Sequence, residues 1–208
     1  MIMRFLRRSV FIVLAAVLLV GEGLANSDSE KVVARLTEVN NRIISGLVVL
    51  KANGALDAQG ALSLIQTEAS SLMDFNKLTR QAMGKHWRKA DDTIRTRIID
   101  LFRVLLEVTY AKVFAKYSGQ IIKVIEAKTL VHGDIAVIME VSDGSKAAEI
   151  EYTFSPNEDG EYLVGNIKVE GISLIANYRR QFSKIISAKG VEGLAEKLES
   201  MTASYLPK

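Results

Sequence analysis

Cysteine is absent from all 208 residues, which excludes a disulfide framework, a thiolate nucleophile and a thiolate metal site. Proline occurs twice, at Pro156 and Pro207, so no proline breaks a helix in the first three quarters of the chain. The two histidines, His86 and His132, stand far apart, whereas a metal centre takes three or four placed ligands, so no metal is expected. A basic excess is also missing. The formal charge is +3, but three of the 27 basic residues and one of the 24 acidic ones fall in residues 1–25, which leaves +1 for 26–208. With no Arg/Lys stripe interleaved with aromatics, there is no footprint for nucleic acid.

Long apolar runs are scarce too. The single candidate, Val10 to Val20, is about half the roughly 20 residues that span a bilayer. It follows Arg4, Arg7 and Arg8 and precedes Gly23 and Ala25 in a small-x-small arrangement, the pattern of a secretory signal peptide cleaved after Ala25. Residues 1–25 are therefore read as a leader and 26–208 as one soluble, exported domain, of a length suited to a single core. No cysteine at the cleavage point is available to carry a lipid anchor.

What is present is periodicity. Val32, Leu36, Val39, Ile43, Leu47 and Leu50 recur at helical spacing before Asn53-Gly54, and Leu62, Ile65, Ala69 and Leu72 mark a second helix. A short helix is expected from Asp74 to Gly84. A long one runs from about Asp91 to Tyr117, with Ile94, Ile98, Leu101, Phe102, Leu105, Val108 and Val113 inward and Arg95, Arg103, Glu107 and Lys112 outward. After Gly119 the period becomes 2: "IIKVIEAKTL", "DIAVIMEVS", "KAAEIEYTFS" and "EYLVGNIKVE" are strand-length and separated by turn sequences. They predict a four-stranded twisted antiparallel meander. Beyond Gly171 the helical period returns with Ile175, Tyr178, Phe182 and Ile185, stops at Gly190, and resumes with Val191, Leu194 and Leu198. The fold class is α+β: a helical N-terminal half, the meander, then C-terminal helices.

Catalytic patterns are weak. Ser173 in "GISLI" lacks the second glycine of a nucleophile elbow and reads as a helix N-cap. Asp91 and Asp92 read as helix-start residues, and Gly84-Lys85 lacks the rest of a phosphate loop. Glu140 on the second strand is the one base that an enzyme on a cone-shaped α+β fold could use, and a solvent-facing glutamate is the simpler reading. No enzyme is expected. The apolar supply is more telling: Phe102, Tyr110, Phe114, Met139, Tyr152, Phe154, Tyr178 and Phe182 either fill a core or line a cavity for an apolar ligand.

Three stretches carry a resemblance: "MDFNKLTRQAMGKHWR" (73–88), "RTRIIDLFRVLLEVTYAKVFAKYSG" (95–119), and "VEGISLIANYRRQFSKII" with "GVEGLAEKL" (169–198). In this order they resemble the MlaC family, also called the toluene-tolerance auxiliary or phospholipid-binding ABC-transporter family. Arg97-Ile98-Ile99 departs from it where an aromatic residue is usual.

The resemblance implies a periplasmic shuttle that carries phospholipid between an outer-membrane lipoprotein-porin complex and an inner-membrane ABC transporter with its MCE-type subunit, and so maintains outer-membrane lipid asymmetry. It implies acyl chains in an apolar cavity between sheet and helices and no cofactor beyond this cargo; a monomer is expected, because a shuttle that docks alternately at two membranes gains nothing from a permanent partner. The lining would be Phe75, Phe102, Leu105, Leu106, Tyr110 and Phe114, then Val137, Met139, Ile150, Tyr152 and Phe154, then Ile172, Ile175, Tyr178 and Phe182. Arg179 and Arg180 would meet the head group or a partner. A carrier for another apolar lipid, such as a hopanoid, is the alternative.

Overall fold

Helical periodicity without proline produces helices with little interruption. The computed structural model describes residues 27–205, and the expected leader lies outside them. Helix α1 (Ser27–Ala52) buries Val32, Leu36, Val39, Ile43 and Leu47 of the predicted stripe and leaves Leu50 half-buried in its last turn, and α2 (Ala58–Glu68) folds back along it. A 3-10 turn (Ser70–Leu72) leads to α3 (Phe75–Met83), a second 3-10 turn (Gly84–Lys89) to α4 (Asp92–Phe114).

Four of the α-helix starts are capped by a side-chain oxygen at the expected kind of residue. Asp57, Asp74 and Asp91 each accept from a backbone N–H at 2.8 Å, and the Ser173 hydroxyl accepts from Ala176 at 3.1 Å. Such caps satisfy N–H groups that the first helical turn leaves without partners. Ser173 is thus a cap, and its hydroxyl also donates to Asn166 Oδ1 at 2.9 Å.

The sheet runs in sequence order, β1 (Ile121–Thr129), β2 (Ile135–Ser142), β3 (Ala147–Pro156), β4 (Tyr162–Val169) and β5 (Ile172–Ser173), all antiparallel. Five strands replace the four expected. After β4 the chain turns through two consecutive left-handed residues, Glu170 (φ 50°) and Gly171 (φ 73°), and Ile172 pairs back onto Val169. Two positive φ values in succession are what a tight hairpin turn requires. Glu170 carries the less favourable one, and its backbone N–H bonds Glu149 O at 2.9 Å.

Helix α5 (Leu174–Thr202) then bends at Gly190 (φ 75°, ψ −178°), the predicted stop, so the C-terminal part is two helical segments. Two expectations on α4 are corrected. Val113 is 61% exposed, not inward, because the helix ends at Phe114 and its last turn overhangs the core. Glu107 is buried, not outward: it accepts from Gln66 Nε2 at 2.9 Å and from Ser70 Oγ at 2.8 Å, which meets the requirement that a buried carboxylate be hydrogen-bonded.

Candidate functional site

The apolar side chains gather into two main layers. One contains Leu78, Ile98, Leu101, Phe102, Leu105, Leu106, Ile175, Phe182 and Ile186, from α3, α4 and α5, with Phe75, Tyr110 and Tyr178 packed against it. The other joins α1 to the sheet through Leu36, Val39, Ile43, Ile135, Val137, Met139, Phe154 and Val164, with Phe114, Tyr152 and Ile167 at its margin. The sheet contribution follows from register: Ile135, Val137 and Met139 on β2 lie opposite Phe154, Tyr152 and Ile150 on β3, so alternation puts all six on one face. Met73, which the sequence pattern did not single out, packs against both layers.

Between the layers runs a seam, and it is fastened along one strand. Val164 O accepts from the backbone N–H of Asp74 at 3.1 Å, Gly165 O from Gln81 Nε2 at 3.1 Å, and Asn166 from Ser173. Gly165 leaves room there for Lys77, which crosses it: a Cβ would stand 3.0 Å from Cδ and Cε of that side chain. Among the described residues, no hydrogen bond joins α4 to β1, β2 or β3. On that side α4 meets the strands through side-chain packing, while Glu107 ties it to Gln66 and Ser70.

Three tyrosines from different elements meet at the seam: Tyr110 on α4, Tyr152 on β3 and Tyr178 on α5. Burial pushes the Tyr152 phenol up to about 12 and raises Tyr178 as well. Tyr110 rises furthest, chiefly through burial and further through the neighbouring Tyr178 and Tyr152 phenols. The environment therefore disfavours charge, as an apolar crevice does. Phe102 anchors the helical side, with ring centroids 4.9 Å from Tyr178 and 5.0 Å from Phe182 in edge-to-face geometry.

Where an apolar cavity between sheet and helices is expected, the side chains close on one another. Phe102, Val137, Met139 and Phe154 are all at most 1% exposed, because apolar side chains that can reach one another gain dispersion contacts that an open space forfeits. A cleft of about 220 Å³ does exist, between the start of α1 and the β3–β4 turn, lined by Asp28, Lys31, Val32, Arg35, Phe154, Gly160, Glu161 and Tyr162. It is smaller than the roughly 300–1,000 Å³ of typical ligand pockets. Of the nominated lining residues, Ile172 departs: it is 63% exposed on the edge strand, since a two-residue strand turns alternate side chains to opposite sides.

The residues weighed as a base or as metal ligands lie apart from one another. Glu140 lies on the sheet between Lys123 and Glu149 of the neighbouring strands, and His132 sits at φ 67° in the β1–β2 turn. Among the described residues, no group of three His, Asp or Glu side chains could hold a metal ion. His86 is 5% exposed, with Nε2 3.2 Å from Ser183 Oγ and Nδ1 buried without a partner.

Burial, aided by Lys85 and Lys89, holds the His86 imidazole below its usual 6.5. The unfolded chain then takes up this proton before the folded one, so stability is complete above 6.5 and falls as pH drops through the lower folded value. His86→Gln should flatten part of that decline in urea midpoints measured at a series of pH values. Identical slopes for variant and wild type would remove His86 from the acid response.

A sequence model of the MlaC protein family matches residues 37–200. The chain belongs to the MlaC family. The same fold is found in a solved structure of a phospholipid-binding protein from Ralstonia solanacearum in complex with a phospholipid, with a TM-score of 0.71 and 25% sequence identity over 82% of this chain and 96% of that one. The MlaC match spans every element from the middle of α1 to the last turns of α5, and so includes both sides of the seam.

Proposed function

We propose that this protein is a phospholipid carrier whose acyl-chain site is the seam between the helical layer and the sheet. The observation that carries the proposal is the uneven fastening of two apolar layers: hydrogen bonds along β4 tie the sheet to α3 and to the start of α5, whereas α4 bonds to Gln66 and Ser70 but not to β1, β2 or β3, so that Tyr110 and Tyr152 meet through packing. Rotation about β4 would part the layers without breaking the sheet. The likeness to a protein solved with a phospholipid supports this reading of the cargo.

The physics of the cargo demands enclosure. Each methylene brought into water costs about 0.8 kcal/mol, so two tails of about fifteen carbons exposed together would cost on the order of 20 kcal/mol. The seam offers apolar groups on both sides, and Met139 and Met73 can adapt to a flexible chain. Phe75, Leu105, Leu106, Phe114, Ile150 and Ile175 complete the lining. The carrier would work in the periplasm after loss of residues 1–25, as one domain of 26–208, and as a monomer. It would exchange phospholipid between an outer-membrane lipoprotein-porin complex and an inner-membrane ABC transporter with an MCE-type subunit, so preserving outer-membrane lipid asymmetry. No chemistry on the cargo is needed for that task.

Native mass spectrometry with lipid extraction tests the cargo. The protein recovered from a Gram-negative periplasm should carry a mass increment matching phospholipid. A preparation that binds no phospholipid when offered it would overturn the reading, and a polycyclic lipid recovered in its place would transfer the seam to the hopanoid alternative.

A further inference from the structure

Two stretches of the helical layer carry charge of a single sign. From Phe75 to Ala90 the chain holds Lys77, Arg80, Lys85, Arg88 and Lys89 and no acidic residue, and from Leu174 to Gly190 it holds Arg179, Arg180, Lys184 and Lys189 and again none. Folding brings the two stretches together. Arg179 Nε donates to Gln81 O at 2.7 Å and His86 Nε2 meets Ser183 Oγ at 3.2 Å, so α5 lies directly against α3 and the 3-10 turn that follows it.

Apart from Lys77, which crosses Gly165, these cations are exposed, and among the described residues no carboxylate lies within ion-pairing distance of them. Elsewhere on the surface the arginines are largely paired: Arg35 with Glu161, Arg42 with Glu38 and Glu68, Arg95 with Asp92, Arg97 with Glu199, Arg103 with Asp100. The formal charge of 26–208 is +1, so this face is a local excess rather than a property of the whole chain.

The face also lacks exposed apolar anchors. The large apolar side chains left exposed are Val48, Val49, Val113, Ile121, Ile125, Val131, Ile172 and Met201, and none belongs to these two stretches. Protein interfaces draw most of their affinity from a few large side chains, chiefly Trp, Tyr and Arg, seated in desolvated pockets at their centre, and of these the face exposes only arginines. A surface with many cations and no exposed apolar group suits a fluid, anionic plane to which each cation adds independently.

We propose that the face formed by α3, its following 3-10 turn and the first half of α5 rests on the surface of a bilayer containing anionic phospholipid. It lies on the helical layer that borders the seam, so docking there would bring one side of the seam close to the lipid headgroups. The proposal stands apart from the cargo reading, because surface binding needs no occupied seam.

Co-sedimentation with lipid vesicles tests it, using protein expressed from the full-length sequence and purified in the form the cell produces. Binding is expected on phosphatidylcholine vesicles with about a third phosphatidylglycerol, not on phosphatidylcholine alone, and it should vanish at about 1 M salt, where the screening length is about 3 Å. Each cation at such a surface is worth about fivefold in affinity, so the combined Lys85→Glu, Arg180→Glu and Lys184→Glu variant should bind at least about 100-fold more weakly. Equal reversal at Lys51, Lys123 and Lys146, away from the face, should have a much smaller effect.

Thermal midpoints check that the variants fold, and the neutralising set Lys85→Gln, Arg180→Gln and Lys184→Gln serves if the reversed one does not. Absence of wild-type binding to the anionic vesicles overturns the proposal and leaves the face to an acidic protein. Equal losses from the two reversed sets overturn it as well, by reducing the effect to net charge.

Discussion

Phe102→Ala should lower unfolding stability by about 3–5 kcal/mol, the range expected for truncating a fully buried aromatic residue. Phe102 is fully buried, and its ring is the hub to which Tyr178 and Phe182 of α5 present their edges. Removing it forfeits the transfer free energy of the ring and leaves a cavity between α4 and α5, two helices that cannot close on each other while α3 also packs against both. For a domain of this size the loss corresponds to a fall in Tm of roughly 6–20 °C. Val113→Ala supplies the contrast: at 61% exposure it should change stability by less than about 0.5 kcal/mol. Denaturant unfolding of both variants decides the matter. A loss below about 1.5 kcal/mol at Phe102 would mean that the helical layer is loosely filled there and that its aromatic cluster is not the rigid side of the seam.

The α1 stripe shows what periodicity can read. Val32, Leu36, Val39, Ile43 and Leu47 are all buried, because an amphipathic helix on a sheet has one possible orientation. The same logic placed Ile150, Tyr152 and Phe154 on one strand face, and Gly190 at a helix break. It failed where a partner distant in sequence decides. Glu107 was assigned outward because charge normally is, yet Gln66 and Ser70, 41 and 37 residues away, make its burial tolerable. It failed again at Ile172-Ser173, since two residues are too few for a period to appear.

The seam was the least legible feature. Phe102, Met139, Tyr152 and Tyr178 were nominated as lining, but a composition that fills a core and one that lines a cavity are the same composition. What distinguishes this protein is the distribution of hydrogen bonds, which gather on Val164, Gly165 and Asn166. No single-sequence pattern encodes that, because the partners come from the ends of α3 and β5. Gly165 was a visible signal, an isolated glycine inside a strand, which often marks a close approach of another element.

Tyr178→Glu should reduce lipid occupancy by about 100-fold or more while the domain remains folded. The substitution introduces a charge where the raised tyrosine pKa values already report an environment hostile to one. In the closed seam a carboxylate on this half-buried position can turn toward the margin and keep part of its hydration. With acyl chains between the layers it must either lie against methylenes or force them out, and an ion desolvated without a partner costs several kcal/mol. Since about 1.4 kcal/mol is a factor of ten in affinity, the bound state loses at least two decades.

Tyr178→Phe is the paired control. It keeps the ring against Phe102 and removes only the hydroxyl, so its lipid content should match that of the wild type. Mass spectrometry of lipid extracted from the three proteins, with thermal unfolding to confirm that each is folded, gives the answer. Undiminished phospholipid in folded Tyr178→Glu would show that the tails do not pass between α5 and β3, and the cargo would then have to enter elsewhere, with the cleft at the start of α1 the next place to look.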